Sequence, residues 1–270
     1  MNLALNAMAV AVMISGCRLL AFAIMSNHFH FVIEGPIEVC VAFFETFKVR
    51  LCKMLPRNKA REAVRKSHVS YIRIDDLLQL KNEIAYVIRN PFVARRNVNM
   101  FSYQWCSGRL YFNGLSSQIK TGEQASAMSI DRRRAFLHSR IAEIDSRIML
   151  LDGVAMPSCF VDYKRVESFF EDARDYQFSL LKNAEQQSLI AKKLGETITL
   201  DDYEMRSVMF SKCKTVYKVP SPQNLSQQDL IELSKTMKYD FGASNAQLAR
   251  ILGKTLSDIN QIFPLSANNN

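Results

Sequence analysis

Hydrophobic and polar positions follow two periods along this chain. Arg18–Ile24 is a short, mostly apolar run, and Met25-Ser26-Asn27 separates it from an alternating stretch, His28–Glu34. There Phe29, Phe31 and Ile33 form one set and His28, His30 and Val32 the other. Side chains two apart on a strand share a face, so the two runs predict a hairpin closed by Gly35-Pro36. Elsewhere the spacing is helical. Residues 2–15 predict a helix ended by Gly16. Val39, Phe43, Phe47 and Leu51 mark a helix over 39–55 that Pro56 stops. Val69–Ile74 reads as a third strand from its β-branched and aromatic content. Asp75 or Asp76 caps a helix that runs to about Asn90, before Pro91. Its apolar stripe is Leu77, Leu80, Ile84, Val87 and Ile88. The other face collects Gln79, Asn82, Glu83, Tyr86 and Asn90 at spacings that make them neighbours.

The C-terminal half reads as helical. Residues 131–151 predict a basic helix carrying Arg132, Arg133, Arg134 and Arg140, and 161–195 predict further helix after Pro157. Lys218–Asn224, with Pro220 and Pro222, reads as a linker. Beyond it Gln227–Lys238 is one helix. Ser244–Leu252, Gly253-Lys254 and Thr255–Phe263 then have helix-turn-helix spacing, with Ala249 at the close approach and Leu248, Leu252 and Ile262 as core. The expected division is 1–113, 114–219 and 220–270.

Composition narrows the classes. A chain of 270 residues with 48% hydrophobic content suffices for one large or two smaller cores. The net charge of +9 favours a polyanionic partner. Six scattered cysteines without a Cys-x-x-Cys pair argue against a disulfide framework or a zinc ribbon and suit a reducing cytoplasm. The apolar stretch 1–17 ends in Ile14-Ser15-Gly16-Cys17, which superficially resembles a lipoprotein cleavage box. It has no Lys or Arg before Arg18, so it reads as a buried helix rather than a signal peptide or a membrane span, with secretion as a rival.

Candidate chemistry concentrates in two places. Two of the chain's four histidines, His28 and His30, share one strand face, close enough to hold one divalent ion with oxygen donors. The alternative is a half-buried strand whose histidines face solvent. From 48 to 66 the charge is nearly single-signed: Lys48, Arg50, Lys53, Arg57, Lys59, Arg61, Arg65 and Lys66 against Glu62 alone. Such a run suits a phosphate backbone.

The stretch 19–30, LLAFAIMSNHFH, resembles the "LLAYCLMPNHVHLL" segment of REP-associated tyrosine transposases, which are HUH-class single-tyrosine enzymes. Residues 86–95, YVIRNPFVAR, resemble that family's "YIHLNPVRAG" helix, and 103–111, YQWCSGRLY, is similar to its "YPWSSYRAY" stretch. The three motifs span 2–113 in the family's order. Ser26 and Phe29 stand where the family has proline and valine.

The resemblance implies an α+β, ferredoxin-like antiparallel sheet with helices, followed by an all-α region. It implies cleavage and joining of single-stranded DNA near hairpins, through a phosphotyrosine on the 5′ end. Tyr86 would be the nucleophile. His28, His30 and Asn90 would hold Mg2+ or Mn2+, with Glu83 and Gln79 as rivals to Asn90. The DNA-contacting set would be Lys48, Arg50, Lys53, Arg57, Lys59, Arg61, Arg89, Arg95 and Arg96, with Ser257, Asn260 and Gln261 from the tail. The expected partner is single-stranded or hairpin DNA, with no membrane, and the protein a monomer or homodimer. The family begins with a central strand before the first helix, and this chain starts inside that helix. The expectation is therefore a chain that is poorly soluble or inactive as written, and a non-catalytic DNA-binding relative is the rival reading.

Overall fold

The computed structural model describes residues 1–94, 101, 103–114, 122–139, 141, 144–181, 190–194, 200 and 202–264. The protein is mixed α+β, in two compact units, 1–180 and 181–270. This division departs from the expected boundaries at 113 and 219. Tertiary contacts carry the first unit well past the last recognisable motif.

The first unit is organised around α1 (Asn2–Ser15) and the hairpin of β1 (Arg18–Ile24) and β2 (Phe29–Glu34). Gly16 takes the left-handed conformation at φ 67° and ends α1 as expected. The strands pair antiparallel from Arg18↔Glu34 to Ile24↔Phe29, with a bulge at Leu20. Phe29 and Phe31 pack edge-on against Phe43 and Phe47 of α2 (Ile37–Met54). His30 faces the opposite way. Both faces of β1 are covered, which is why every residue after Arg18 is buried.

β1's second edge is closed without a full strand. Ile24 N–H donates to Trp105 O (2.9 Å), and the Tyr103 hydroxyl donates to Ile24 O (2.9 Å). Ser107 Oγ accepts from Phe22 N–H (3.0 Å) and donates to Phe22 O (3.3 Å). The Tyr111 hydroxyl donates to Leu20 O at 2.7 Å and lies 2.8 Å from Ser107 Oγ. Asp162 N–H donates to Leu19 O (2.9 Å). Residues 103–111, one of the three motifs, therefore satisfy a strand edge that would otherwise leave buried carbonyls and amides without partners. Ser107→Ala is expected to cost roughly 1–3 kcal/mol, because it strands the Phe22 amide in the core. A lowered urea midpoint would register that loss, and an unchanged one would show that the edge tolerates it.

Three expectations are corrected here. Val69–Ile74 belongs to no ladder, and among the described residues the sheet is two-stranded, β1 beside β2. Strand composition supplies propensity only, and the ladder needs a neighbour. Residues 131–151 do not form one helix. α3 (Lys59–Arg65) and α4 (Leu77–Ala94) are followed by β3 (Glu123–Gln124), α5 (Ile130–Leu137), β4 (Met149–Leu151) and β5 (Val154–Ala155). Asp152 and Gly153, at φ 50° and 77°, make the two-residue turn between β4 and β5. That Asp-Gly between apolar residues is the signal a reading by charge passes over. Finally, α4 runs through Pro91 to Ala94 instead of ending at Asn90.

α1 is apolar almost all round, and β5 and α5 pack on it as well as α2. Asn6 is its one fully buried polar side chain. Its amide donates to Phe136 O and Gly153 O (2.9 Å each) and accepts from Ala155 N–H (2.7 Å). α6 (Tyr163–Glu167) and α7 (Ala173–Leu181) complete the unit.

The second unit contains α8 (Asp202–Thr215), α9 (Gln227–Tyr239), α10 (Asn245–Leu252) and α11 (Leu256–Ile262). Its core joins Met205, Met209, Leu233, Met237, Leu248 and Ile259. Ser244 caps α10, Gly253 turns at φ 64°, and Thr255 with Asp258 forms a capping box at the start of α11. The helix-turn-helix spacing is thus realised as helix, left-handed turn and helix. The segment expected to be a linker, 218–224, packs into this unit through buried Pro222.

Candidate functional site

The hairpin places the two histidines. A tight turn, closed by Met25 N–H donating to His28 O (2.9 Å), sets His28 just before β2. His28 Nδ1 lies 2.8 Å from Asn27 Oδ1. The tautomer that points its Nδ1 proton at this oxygen leaves Nε2 with a lone pair. That Nε2 is shielded from solvent and has no hydrogen-bond partner among the described residues. His30, two residues on, lies on the same face with ring centroids 4.7 Å apart. Its Nε2 is likewise shielded, and the residue is 7% exposed. Asn27 was not singled out from the sequence, although its position next to His28 is the cue.

Tyr86 reaches this pair from α4. Asp76 starts that helix, its carboxylate accepting from Gln79 N–H (2.7 Å). The Tyr86 ring stands edge-on to His30 at 5.5 Å. The structure therefore brings His28, His30 and Tyr86 together. The polar face of α4 bearing Tyr86 is enclosed, and Tyr86 is 2% exposed. β1 and β2 flank α4, while Cys106 Sγ sits 3.9 Å from Ile88 O and Lys81 pairs with Asp175 of α7. Burial pushes the Cys106 thiol up to about 12, so this cysteine stays protonated and structural.

The rival oxygen donors separate. Gln79 is spent on the helix start, with Oε1 accepting from Asp75 N–H (3.1 Å) and Nε2 donating to Arg73 O (3.2 Å). Glu83 and Asn90 are buried, one turn before and one turn after Tyr86. Among the described residues, no group of three or more His, Cys, Asp or Glu side chains could hold a metal ion. Glu83 thus does not join the two imidazoles in such a group.

The expected DNA-contacting residues divide by environment. Lys53, Arg57 and Lys59 are exposed around the end of α2 and the start of α3. Lys48 donates to Ser67 O (2.9 Å), and Arg50 and Arg61 are half-buried. Arg65 is paired with Glu62 at 2.8 Å. Arg89 is 3% exposed and so lies inside the unit rather than on a DNA-facing surface. Arg95 and Arg96 lie outside the described residues. In the second unit Ser257 and Gln261 are exposed, whereas Asn260 is half-buried and accepts from Asn245 Nδ2 (2.8 Å). Asp258 is held below the usual carboxylate range by the Thr255 hydroxyl and amide, and serves as a cap.

All six cysteines are free, and no described helix is long and apolar enough to cross a membrane. No protein-family model matches the chain, and neither a curated protein nor a solved structure does.

Proposed function

We propose that the protein is a transposase-like enzyme that cuts and joins single-stranded DNA near hairpins through Tyr86. The observation that carries this reading is the convergence of His28, His30 and Tyr86, with centroids 4.7 and 5.5 Å apart in sequence. Support comes from the helix–strand–strand–helix order of α1, β1, β2 and α2, which fits a ferredoxin-like core, and from the motif resemblance over 2–113. Free thiols agree with a cytoplasmic setting.

His28 and His30 would hold Mg2+ or Mn2+, with Asn90 as the expected oxygen donor; the shielded Nε2 of His28 supports this reading. Such an ion would supply Lewis-acid polarisation of a phosphate oxygen. The chain's own residues do the rest. Asn27 Oδ1, 2.8 Å from His28 Nδ1, would favour the tautomer with an unprotonated Nε2. Tyr86 Oη attacks phosphorus, the bond to the 3′ oxygen breaks, and that oxygen takes up a proton while the phenolic proton leaves to solvent. The product is a 5′ phosphotyrosine and a free 3′ hydroxyl. A phenol with a pKa of about 10 leaves more readily than an alkoxide, so the step reverses for joining. Lys53, Arg57 and Lys59 hold the backbone, and α11 offers Ser257 and Gln261 to duplex DNA.

Incubating the protein with a 5′-overhanging hairpin oligonucleotide and Mn2+ should give a covalent adduct stable on a denaturing gel. His28→Ala and His30→Ala should each remove metal-dependent cleavage by 100-fold or more, the order expected when a metal site is dismantled, while leaving the melting transition in place. Cleavage surviving both substitutions would refute the assignment. A second reading, a DNA-binding protein without catalysis, is favoured by the 2% exposure of Tyr86. Hairpin binding without any adduct would select it.

A further inference from the structure

The outward face of α8 carries features that the Tyr86 site does not use. Met205, Val208, Met209 and Cys213 point into the core, while Tyr203, Arg206, Ser207, Phe210 and Lys214 are exposed. At 3.6 residues per turn, those five fall within a stripe about 100° wide. Tyr203 is 80% exposed and Phe210 38%. Past the first turn, with its Asp202 and Glu204, the charge beside them is basic. After Glu204 the next carboxylate in sequence is Asp229, and Arg206, Lys212, Lys214 and Lys218 lie between them. Asp202, at the helix start, is occupied by Arg250 through two hydrogen bonds of 2.7 and 3.0 Å. Arg206 donates one Nη2 hydrogen to Arg250 O (2.6 Å), which steadies its guanidinium beside the stripe.

We propose that this face of α8 binds single-stranded nucleic acid, with bases stacking on Tyr203 and Phe210 and phosphates lying against Arg206 and Lys214. Exposed aromatic rings interleaved with cations suit a strand whose bases are unpaired, because every base has a π-face and every linkage a charge. A partner helix would need a continuous aliphatic seam, and here Arg206 and Ser207 lie between the two rings. A duplex offers phosphates but hides its base faces. The two rings are seven residues apart, about 10.5 Å along the axis, so they engage non-adjacent bases of an extended strand. This site lies in the second unit and does not depend on Tyr86 chemistry.

Fluorescence anisotropy of the full chain with labelled dT20 tests the idea, with rU20 and a 20-base-pair duplex in parallel. Tyr203→Ala with Phe210→Ala should weaken dT20 binding about tenfold or more. Arg206→Gln with Lys214→Gln should reduce the salt slope by roughly 1.4, the contribution of two phosphates. Duplex binding should not respond to the aromatic pair. Photocross-links from 5-iodouracil should map to α8. Equal tightening or weakening on rU20 would extend the site to RNA, and a dT20-restricted effect would confine it to DNA. The proposal fails if the aromatic double variant, folded by circular dichroism, binds dT20 like the parent or if cross-links fall only on α2 and α3. It also fails if the parent self-associates through this face and the double variant is monomeric. Because the readout is binding at α8, a failed Tyr86 adduct assay leaves it standing.

Discussion

Tyr86→Phe is expected to abolish covalent capture of a 5′ DNA end while hairpin binding persists. The substitution removes one oxygen and leaves the ring, so the edge-on contact with His30 at 5.5 Å is preserved. What disappears is the only atom in that ring able to form a phosphodiester. Loss of the adduct should be complete, at least 1,000-fold below the parent, since a nucleophile has no partial substitute. The buried position makes the comparison demanding. Tyr86 is 2% exposed, so the proposed attack would require α4 and the β2 face to part. A phenylalanine variant that bound the hairpin as tightly as the parent, and made no adduct, would separate chemistry from access. An adduct of undiminished yield would remove Tyr86 from the role.

The second large effect lies in the scaffold. Asn6→Leu keeps similar volume but strands three main-chain groups, Phe136 O, Gly153 O and the buried Ala155 N–H. Each such group costs about 1–3 kcal/mol when buried, so the first unit should lose roughly 3 kcal/mol or more. That is a large share of a domain's usual 5–15 kcal/mol. Asn6→Asp should lose at least as much, because it keeps an acceptor for Ala155 N–H but sets a buried carboxylate oxygen against the Phe136 and Gly153 carbonyls. Urea unfolding of the two variants and the parent reads the order directly. Equal stability of all three would mean that the Asp152-Gly153 hairpin does not rely on α1.

Much of the local structure was written in the residues themselves. The period of two in His28–Glu34 assigned phenylalanines and histidines to opposite faces, and the structure has Phe31 on Phe43 and Phe47 while His30 meets Tyr86. Gly16, Asp76, Gly253 and the Thr255–Asp258 box ended or began helices by chemistry acting within four residues. Such effects need no knowledge of the rest of the chain.

Tertiary structure decided what covers each face. The sequence sets the polar row on α4, but only the folded chain encloses it, with β2 on one side and the 103–111 segment with α7 on the other. Val69–Ile74 has strand composition but no ladder, and 149–155 has helical neighbours but forms a hairpin. Ser107 and Tyr111 serve β1 from more than 80 residues away. Periodicity states which side chains point the same way, because that follows from the backbone's own repeat. Which surface they meet depends on long-range pairing, where a hydroxyl or an amide finds its partner only once the chain has closed.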